Sequence, residues 1–373
     1  MTALPEPPPE SFDLLSTELI ARFDEWERQP CAWEDDLLDT WARRAFRLQF
    51  QDNRPYRNFC EARDFGPATV AGWRDLPPVP TGAFRAVDLF VGNREHANLT
   101  FLTSGTTRGR SAQGRHLIRS PDLYRASLRA AFRFFVLQGE DRLRIVTLLP
   151  GFTAERGSSL GWMSDELRTG VGAGDGVSVA TPTGIDWGML EEVVGRSADA
   201  GRPLCLLGTT VGFAEWLDRL QDGRSVSAGL PAGSKLMDTG GAKGRAGLRR
   251  SSVVGGLVEH LGIRADAIVN EFGMTELLSQ RYGRGEPPFP LIGPPWLRSR
   301  VLDPVTLEEL PDGETGILCH FDLANLGSVC AVLTEDRGRI VGEGIEWVGR
   351  TEGAPPRGCS LATAELLEAQ DHA

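Results

Sequence analysis

From about residue 98 to residue 273 the chain alternates short apolar runs with segments of helical period, and this alternation limits the folds it can adopt. The apolar runs predict buried strands, with helices between them. The clearest are the strands at 144–150, 203–209 and 267–273 and the helices at 187–199 and 212–221. Strands joined by crossover helices form a mainly parallel sheet, so the sequence predicts an α/β fold.

The two ends of the chain differ from this central pattern. Apolar residues at helical spacing from Ser11 to about Asn53 predict two or three amphipathic helices, and the prolines of residues 75–92 predict an extended connector. After about residue 290, short apolar pieces predict antiparallel strands. We therefore expect a flexible arm at 1–10, a helical region at 11–95, a core at 96–350 and a short tail at 351–373.

Composition excludes several classes of protein. The chain has 40 basic and 51 acidic residues, and its net charge of −11 gives no basic surface for a nucleic-acid backbone. The six cysteines include no CxxC pair, which argues against a zinc module or a disulfide framework. The sequence shows neither an apolar stretch long enough for a membrane span nor a signal-peptide pattern. We expect a soluble cytoplasmic protein with no nucleic-acid partner and no membrane insertion.

A loop rich in hydroxyl side chains follows the strand predicted at NLTFLTS. It reads TSGTTRGR and covers residues 103–110. Backbone N–H groups, hydroxyls and arginines in such a loop can surround a polyphosphate, although the spacing is not that of a Walker A loop. An ordinary polar turn is the alternative.

A second candidate, NEFGMTE at 270–276, stands at the end of a predicted strand, where open α/β sheets bind ligands. Phe272 can stack on a flat ring, and Glu276 can hold a hard cation such as Mg²⁺. The alternative is a strand-to-helix turn with Glu276 in the first turn of the helix.

Two further patterns in the sequence could carry chemistry. In a hairpin predicted around DRGRIVGEG, Asp336 can accept hydrogen bonds from a ribose diol with Arg350 beside it, and solvated surface charges are the alternative. GSSLG at 157–161 matches the GxSxG nucleophile elbow, but the preceding strand ends too early for an elbow. A serine hydrolase that uses Ser159 is therefore the most distant alternative.

Taken together, these loops resemble the adenylate-forming superfamily, which includes acyl-CoA synthetases, adenylation domains of peptide synthetases and luciferases. TSGTTRG resembles its phosphate loop, FGMTE its adenine and magnesium loop, and Asp336 with Arg350 its ribose clamp, in the same order along the chain. The resemblance covers roughly residues 75–360 and implies mainly parallel sheets flanked by helices, with a small antiparallel part near the C-terminus. It also implies that the swinging C-terminal domain of typical members is absent, because the chain stops 23 residues after Arg350.

Within that superfamily the chain is similar to the acyl-protein synthetases of bacterial luminescence, a branch near the phenylacetate-CoA ligases. The similarity lies in YRNFCEARDFGP, PPVPTGAFR, PGFTAERGSSLGWM, the GGAKG turn and a cysteine close to the C-terminus. In the luminescence enzyme such a cysteine accepts the acyl group. The resemblance therefore implies Cys359 as an acyl acceptor, and we expect Arg357 to lower the pKa of its thiol.

The resemblance implies activation of a carboxylic acid by ATP with Mg²⁺, release of pyrophosphate, and acyl transfer to Cys359, to a carrier or reductase protein, or to CoA. Lys243 is one of two lysines and the only one near the inferred site, so we expect it to contact the α-phosphate or the carboxylate. Thr275 is expected to bond the α-phosphate and Glu276 to hold Mg²⁺. The other expected ATP-binding residues are Thr103, Ser104, Gly105, Thr106, Thr107, Gly240, Gly241, Phe272, Gly273, Met274, Asp336 and Arg350. A catalytically degenerate adenylate-binding or partner-activating module is the alternative.

Overall fold

The helices follow the periodic segments of the sequence. The computed structural model describes residues 10–103, 113–140, 142–225, 229–240, 247–285, 288–350 and 357–371. Its helices are α1 (Phe12–Arg28), α2 (Asp35–Asp52), α3 (Arg54–Glu61), α4 (Ala83–Ala86), α5 (Pro121–Phe132), α6 (Ser159–Gly170), α7 (Trp187–Asp199), α8 (Thr210–Gln221), α9 (Arg250–Leu261) and α10 (Arg357–Asp371). None of these described helices is long and apolar enough to cross a membrane.

Within the described residues the strands form two larger sheets and two short ribbons. They are β1 (Val79–Pro80), β2 (Leu99–Leu102), β3 (Arg115–Ile118), β4 (Arg144–Thr147), β5 (Val177–Ser178), β6 (Ala180–Thr181), β7 (Gly184–Ile185), β8 (Leu204–Thr209), β9 (Lys235–Thr239), β10 (Ile268–Phe272), β11 (Arg281–Arg284), β12 (Leu297–Leu302), β13 (Gly316–Asp322), β14 (Ala331–Val341) and β15 (Gly344–Arg350). The main sheet has the order β11-β10-β9-β8-β4-β5. The second has the order β1-β14-β13-β12, with β15 paired to β14, and the ribbons are β2-β3 and β6-β7.

The main sheet confirms the parallel arrangement predicted from the sequence. β5, β4, β8, β9 and β10 run parallel to one another, and β11 is antiparallel to β10. Leu207 and Met237 pack into the core on one face of this sheet, whereas Leu206 and Leu236 pack into the core on the other. Burial of both faces explains why these strands read as continuous apolar runs.

The carboxyl ends of the central strands lie side by side. Thr209, Thr239 and Glu271 are in register across β8, β9 and β10. The Gly-rich turn that follows β9 and the FGMTE segment that follows β10 therefore leave the sheet at the same edge. This is the edge at which open α/β sheets bind ligands.

The second sheet confirms the antiparallel strands predicted after residue 290. β12, β13, β14 and β15 pair with antiparallel register, and β1 joins β14 in parallel. The hairpin predicted around DRGRIVGEG is β14 and β15. Gly342 in its turn has a φ of +58°, a backbone conformation that favours glycine.

The N-terminal helices pack on the body through aromatic side chains, and α1 to α3 confirm the helices predicted there. The rings of Phe23 and Trp26 lie 4.1 and 5.2 Å from the ring of Trp296, between centroids. Gln49 of α2 donates a hydrogen bond to the main-chain oxygen of Asn325 at 3.2 Å. Burial of each aromatic side chain contributes roughly 1.5–3 kcal/mol, so this helical layer is firmly fixed to both sheets.

Candidate functional site

The hydroxyl-rich loop leaves and rejoins the β2-β3 ribbon. The N–H of Thr103 donates to the oxygen of Gly114 at 2.9 Å, and the N–H of Gly114 donates to Oγ1 of Thr103 at 2.7 Å. Thr103 thus closes the base of the loop. The remaining predicted phosphate ligands, which lie outside the described residues and stay predictions, are Ser104, Gly105, Thr106 and Thr107.

The GSSLG segment lies against the base of this loop. The N–H of Leu102 donates to the oxygen of Gly157 at 2.7 Å. Ser159 begins α6, and its hydroxyl lies 3.4 Å from the hydroxyl of Thr275. No histidine in the described ranges hydrogen-bonds Ser159, so this serine meets the FGMTE segment and has no general base beside it.

The FGMTE segment forms a turn between β10 and β11, and the alternative of a strand-to-helix turn is wrong. Nδ1 of His116 lies 2.8 Å from the main-chain oxygen of Thr275. Because a carbonyl oxygen only accepts hydrogen bonds, Nδ1 carries the proton. Burial lowers the pKa of His116 to about 4, so the imidazole is neutral at pH 7.

The second sheet holds the same turn from another side. Asp322 accepts hydrogen bonds from the N–H groups of Leu278 and Ser279 at 2.9 and 2.8 Å, and from the Ser279 hydroxyl at 2.7 Å. Nδ2 of Asn325 donates to the main-chain oxygen of Glu276 at 2.7 Å. Neither supporting side chain is predictable from the sequence, because isolated polar residues in apolar segments form no motif.

The charges of Asp336 and Arg350, the two residues of the predicted ribose clamp, both act on the carboxyl group of Glu276. Asp336 and Arg350 are cross-strand neighbours on β14 and β15. Burial raises the pKa of Glu276 to about 7; Arg350 and Arg85 oppose this rise, and Asp336 adds to it. Arg350 also donates to Glu335 at 3.0 Å. The charges of Asp336 and Arg350 thus act on Glu276 in the fold, and the shared nucleotide site expected of these three residues stays a prediction.

Arg85 is a site residue that the motifs did not reveal. It belongs to α4, within the PPVPTGAFR segment, and a β-carbon at Gly114 would stand 3.3 Å from its Cγ. The other arginine at the loop base, Arg115, is paired with Asp88 at 2.9 Å. The side chain of Arg85 therefore lies against the loop base, and its positive charge acts on Glu276. The likeness of PPVPTGAFR to the luminescence branch, which contains Arg85, is the signal that could have found it.

One buried ion pair anchors both ends of the Gly-rich turn. Asp238 near the end of β9 accepts hydrogen bonds from Nε and Nη2 of Arg250 at 3.0 and 2.7 Å, and Arg250 is the first residue of α9. Gly240 has a φ of +72°, which favours glycine at the start of the turn. Gly241 and Lys243 lie outside the described residues, so the contact expected of Lys243 stays a prediction.

The other residues of the FGMTE turn differ in burial. Phe272 is partly buried, and its ring centroid lies 6.5 Å from that of His320. Gly273 is exposed. Met274 is partly buried and packs against the large core. Phe272 is thus held at the sheet edge with part of its ring open to contact.

Comparison with known proteins relates the chain to one family. A family model described as "Acyl-protein synthetase, LuxE" matches residues 183–368, which include the Gly-rich turn, the FGMTE turn and the β14-β15 hairpin. A long-chain-fatty-acid–luciferin-component ligase of Vibrio harveyi is 23% identical over 351 residues, which are 91% of this chain and 90% of the relative. About half of the chain, residues 183–368, thus matches the acyl-protein synthetase family. A ligase of the same name from Aliivibrio fischeri is 31% identical over 84 residues, 20% of this chain and 22% of that relative.

Solved structures show that the chain has the adenylate-forming fold. A 2-hydroxyisobutyryl-CoA ligase in its postadenylation state, in complex with 2-HIB-AMP, matches with a TM-score of 0.62 and 16% identity, over 85% of this chain and 68% of that one. The same ligase in complex with R3-HIB-AMP matches with a TM-score of 0.63 and 16% identity, over 94% and 72% of the two chains. The fold class predicted from the sequence is confirmed.

Cys359 is buried on the inner side of α10. It packs in an apolar cluster with Leu333, and its thiol donates to the main-chain oxygen of Thr334 at 3.3 Å. Burial raises the pKa of the Cys359 thiol to about 12, and the charge of Glu335 adds to the rise. Apolar burial therefore dominates the thiol pKa in this conformation, and the side chain of Arg357, which was expected to lower this pKa, lies outside the described residues.

Proposed function

We propose that this chain activates a carboxylic acid with ATP, releases pyrophosphate as the acyl-adenylate forms, and passes the acyl group to a thiol. The observation that supports the proposal is the electrostatic interaction of Glu276 with Arg350, Arg85 and Asp336, together with the cross-strand pairing of Asp336 and Arg350. The match to the acyl-protein synthetase family and the adenylate-forming fold support it. The Vibrio harveyi and Aliivibrio fischeri relatives are both named as ligases of a long-chain fatty acid.

The geometry suits a nucleotide placed across the sheet edge. In the proposed complex Phe272 stacks on adenine, and Asp336 accepts hydrogen bonds from the ribose hydroxyls with Arg350 alongside. The hydroxyl of Thr275 bonds the α-phosphate, and Arg85 offsets negative charge near the loop. These groups reach one another only because the second sheet packs against the turn after β10.

Glu276 is the residue proposed to hold Mg²⁺. No three His, Cys, Asp or Glu side chains gather as a metal site in the described part of the chain. A single carboxylate nevertheless fits Mg²⁺, which keeps several waters and commonly binds one or two carboxylates together with substrate phosphates. The ion would neutralise charge on the phosphates. The carboxylate must be ionised to bind it.

The proposed reaction has two steps. First, a carboxylate oxygen attacks the α-phosphorus of ATP, a P–O bond to the acid forms, and the bond to the leaving pyrophosphate breaks. Second, a thiolate attacks the acyl carbon, and the bond from that carbon to AMP breaks. Positioning and charge neutralisation supply most of the catalysis in such transfers. The hydrogen bonds that hold the FGMTE turn, from His116 and Asn325 and to Asp322, therefore contribute to the rate of adenylation.

The acyl acceptor is proposed to be a thiol, with Cys359, a carrier or reductase protein, and CoA as the candidates. Cys359 lies behind the strand that carries Asp336, since its thiol bonds the oxygen of Thr334. Its side chain is only 4% exposed. For Cys359 to accept an acyl group, α10 must move far enough to expose the thiol.

ATP–pyrophosphate exchange tests the adenylation step. A panel of fatty, aryl and amino acids should contain at least one that drives exchange. Glu276→Gln should lower that exchange by about a hundredfold, whereas Glu259→Gln on the exposed surface of α9 should leave it unchanged. Lys243→Ala should also lower exchange, and Lys235→Ala, the only other lysine substitution that the chain offers, is its control. Binding of ATP without exchange for any acid would contradict adenylation.

Intact-mass analysis of the same reactions tests the acceptor. A covalent acyl adduct that disappears in Cys359→Ser and persists in Cys31→Ser would identify Cys359. Exchange without an adduct would contradict Cys359 as acceptor and favour a carrier protein or CoA.

A further inference from the structure

A row of polar side chains crosses the main sheet on one face. Thr239, Glu271 and Tyr282 are in register on β9, β10 and β11. Asp238, the preceding residue on β9, faces α9, and successive residues of a strand point to opposite faces. The row therefore faces α5 and the large core beneath the N-terminal helices. It is separated by the sheet from the ion pair that anchors the Gly-rich turn.

Glu271, Gln280, Tyr282 and Tyr124 of α5 form what we call the Glu271 cluster. Each of these side chains is at most 4% exposed. Within the described residues neither the hydroxyl of Tyr282 nor Oε1 of Gln280 has a hydrogen-bond partner. Glu271 accepts a hydrogen bond from the Thr239 hydroxyl, and burial raises the pKa of Glu271 to about 7.

The cluster lies beside the turn at which the acid would react. A β-carbon at Gly273 would stand 2.5 Å from Oε1 of Glu271, so the carboxyl group lies against the main chain of the FGMTE turn. On the other side of Tyr124, Trp162 stacks on its ring with centroids 4.6 Å apart. Tyr124 thus belongs both to the polar Glu271 cluster next to the turn and to a stacked aromatic pair with Trp162.

A buried polar atom without a partner costs about 1–3 kcal/mol, and that cost is recovered if a ligand supplies the missing hydrogen bond. The amide oxygen of Gln280 accepts hydrogen bonds, and so does the carboxylate of Glu271. A donor on the substrate would pair the Gln280 oxygen and add a hydrogen bond to Glu271, whereas an unsubstituted alkyl chain would leave the Gln280 oxygen unpaired.

We propose that the acid activated by this chain carries a hydrogen-bond donor, an amino or hydroxyl group near its carboxyl end, which binds the Glu271 cluster. This inference rests on the proposed function and deepens it by naming the substrate class. The tyrosine hydroxyl of the cluster, which both donates and accepts, completes the recognition of that group.

The test is ATP–pyrophosphate exchange with matched acids. Hexanoic, decanoic and tetradecanoic acid are each compared with their α-hydroxy and α-amino derivatives. We expect the substituted acids to show kcat/KM values about tenfold or more above those of the parent acids, because a site built for a hydrogen bond rejects the analogue that lacks it. The two series of derivatives distinguish a hydroxyl from an amine as the donor.

Variants separate recognition from structure. Tyr282→Phe and Glu271→Gln should each reduce the preference for the substituted acid, and Tyr56→Phe, at a buried tyrosine bonded to the oxygen of Pro77, should not. Without substrate, Tyr282→Phe should leave Tm unchanged or raised, because its hydroxyl has no partner in the described fold. A fall of several degrees would mean that the hydroxyl is structural and would overturn its role in recognition.

The outcomes distinguish this inference from the proposed function. Exchange with the parent acids at the same kcat/KM as with their derivatives would overturn the inference and leave adenylation standing. Exchange with no acid of any kind would overturn both. A preference for the substituted acids that Tyr282→Phe removes would support the inference.

Discussion

His116 and Thr275 are joined by a 2.8 Å hydrogen bond from an imidazole nitrogen to a main-chain oxygen. The bond links β3, the strand that follows the hydroxyl-rich loop, to the turn that carries Glu276. The bond thereby fixes the distance between β3 and the FGMTE turn, which are far apart in the sequence. Nδ1 of His116 is the donor in this bond, and burial keeps the imidazole neutral at pH 7.

Acid should weaken the fold through His116. Above pH 6.5 the imidazole is neutral in the folded and unfolded states; as the pH falls from 6.5 to about 4, the unfolded chain gains a proton that the folded chain excludes. The free energy of unfolding should therefore fall by up to about 3 kcal/mol over this window. Urea unfolding at a series of pH values measures it.

In His116→Gln, which keeps a donor for the Thr275 oxygen, the slope over the same window should decrease. Burial also lowers the pKa of His320, to about 3, so His320 accounts for part of the slope that remains in the variant. Equal slopes in the two proteins would show that His116 titrates normally in the fold.

Activity should rise between pH 6 and pH 8 as Glu276 ionises. Its pKa of about 7 in the free protein means that half the molecules lack the carboxylate needed for Mg²⁺ near neutral pH. A raised carboxyl pKa also means that the contribution of Glu276 to folding is present below pH 4.5 and is lost as the pH rises through 7. Rates of ATP–pyrophosphate exchange measured from pH 6 to pH 8, at several Mg²⁺ concentrations, test the predicted rise in activity.

Glu276→Gln should lower the exchange rate by about a hundredfold and remove its rise with pH. A variant that kept the same pH dependence as the wild type would assign the ionisation to another group.

The ion pair of Asp238 and Arg250 should stabilise the fold as well as the turn. Removing one partner of a buried pair leaves the other charge uncompensated, so Arg250→Ala should lower the free energy of unfolding by about 3–5 kcal/mol. The Asp238→Ala/Arg250→Ala double variant should lose less than the sum of the single variants. Arg264→Ala, at an exposed ion pair with Asp266, should show no measurable change. Strictly additive losses would show that the pair is not coupled.

Cys359 should react slowly in the native protein. Cys31 is exposed, whereas Cys359 is buried with a raised pKa. Iodoacetamide at pH 8 should modify Cys359 more than about a hundredfold more slowly than Cys31, because the thiolate is the reactive form. Peptide mapping by mass spectrometry measures both rates. Similar rates would mean that α10 opens readily without substrate.

The periodic and apolar patterns were sufficient for most of the secondary structure. Strand and helix alternation predicted the parallel sheet, because strands buried on both faces leave continuous apolar runs such as the one at 203–209. The helix predicted at 187–199 agrees with α7. The resemblance to the adenylate-forming superfamily also implied that Glu276, Asp336 and Arg350 share a site, which stays a prediction.

Tertiary structure decided which polar groups are buried and what they face. His116, Asp322 and Arg85 support the turn or the loop, yet each is a single polar residue with no recognisable spacing. The pKa of Cys359 could not be predicted from Arg357 beside it in sequence, because α10 buries the thiol against the second sheet. Sequence determined the elements and the chemistry available. Desolvation and long-range hydrogen bonds depend on contacts between distant segments, so only the folded arrangement determined how that chemistry is tuned.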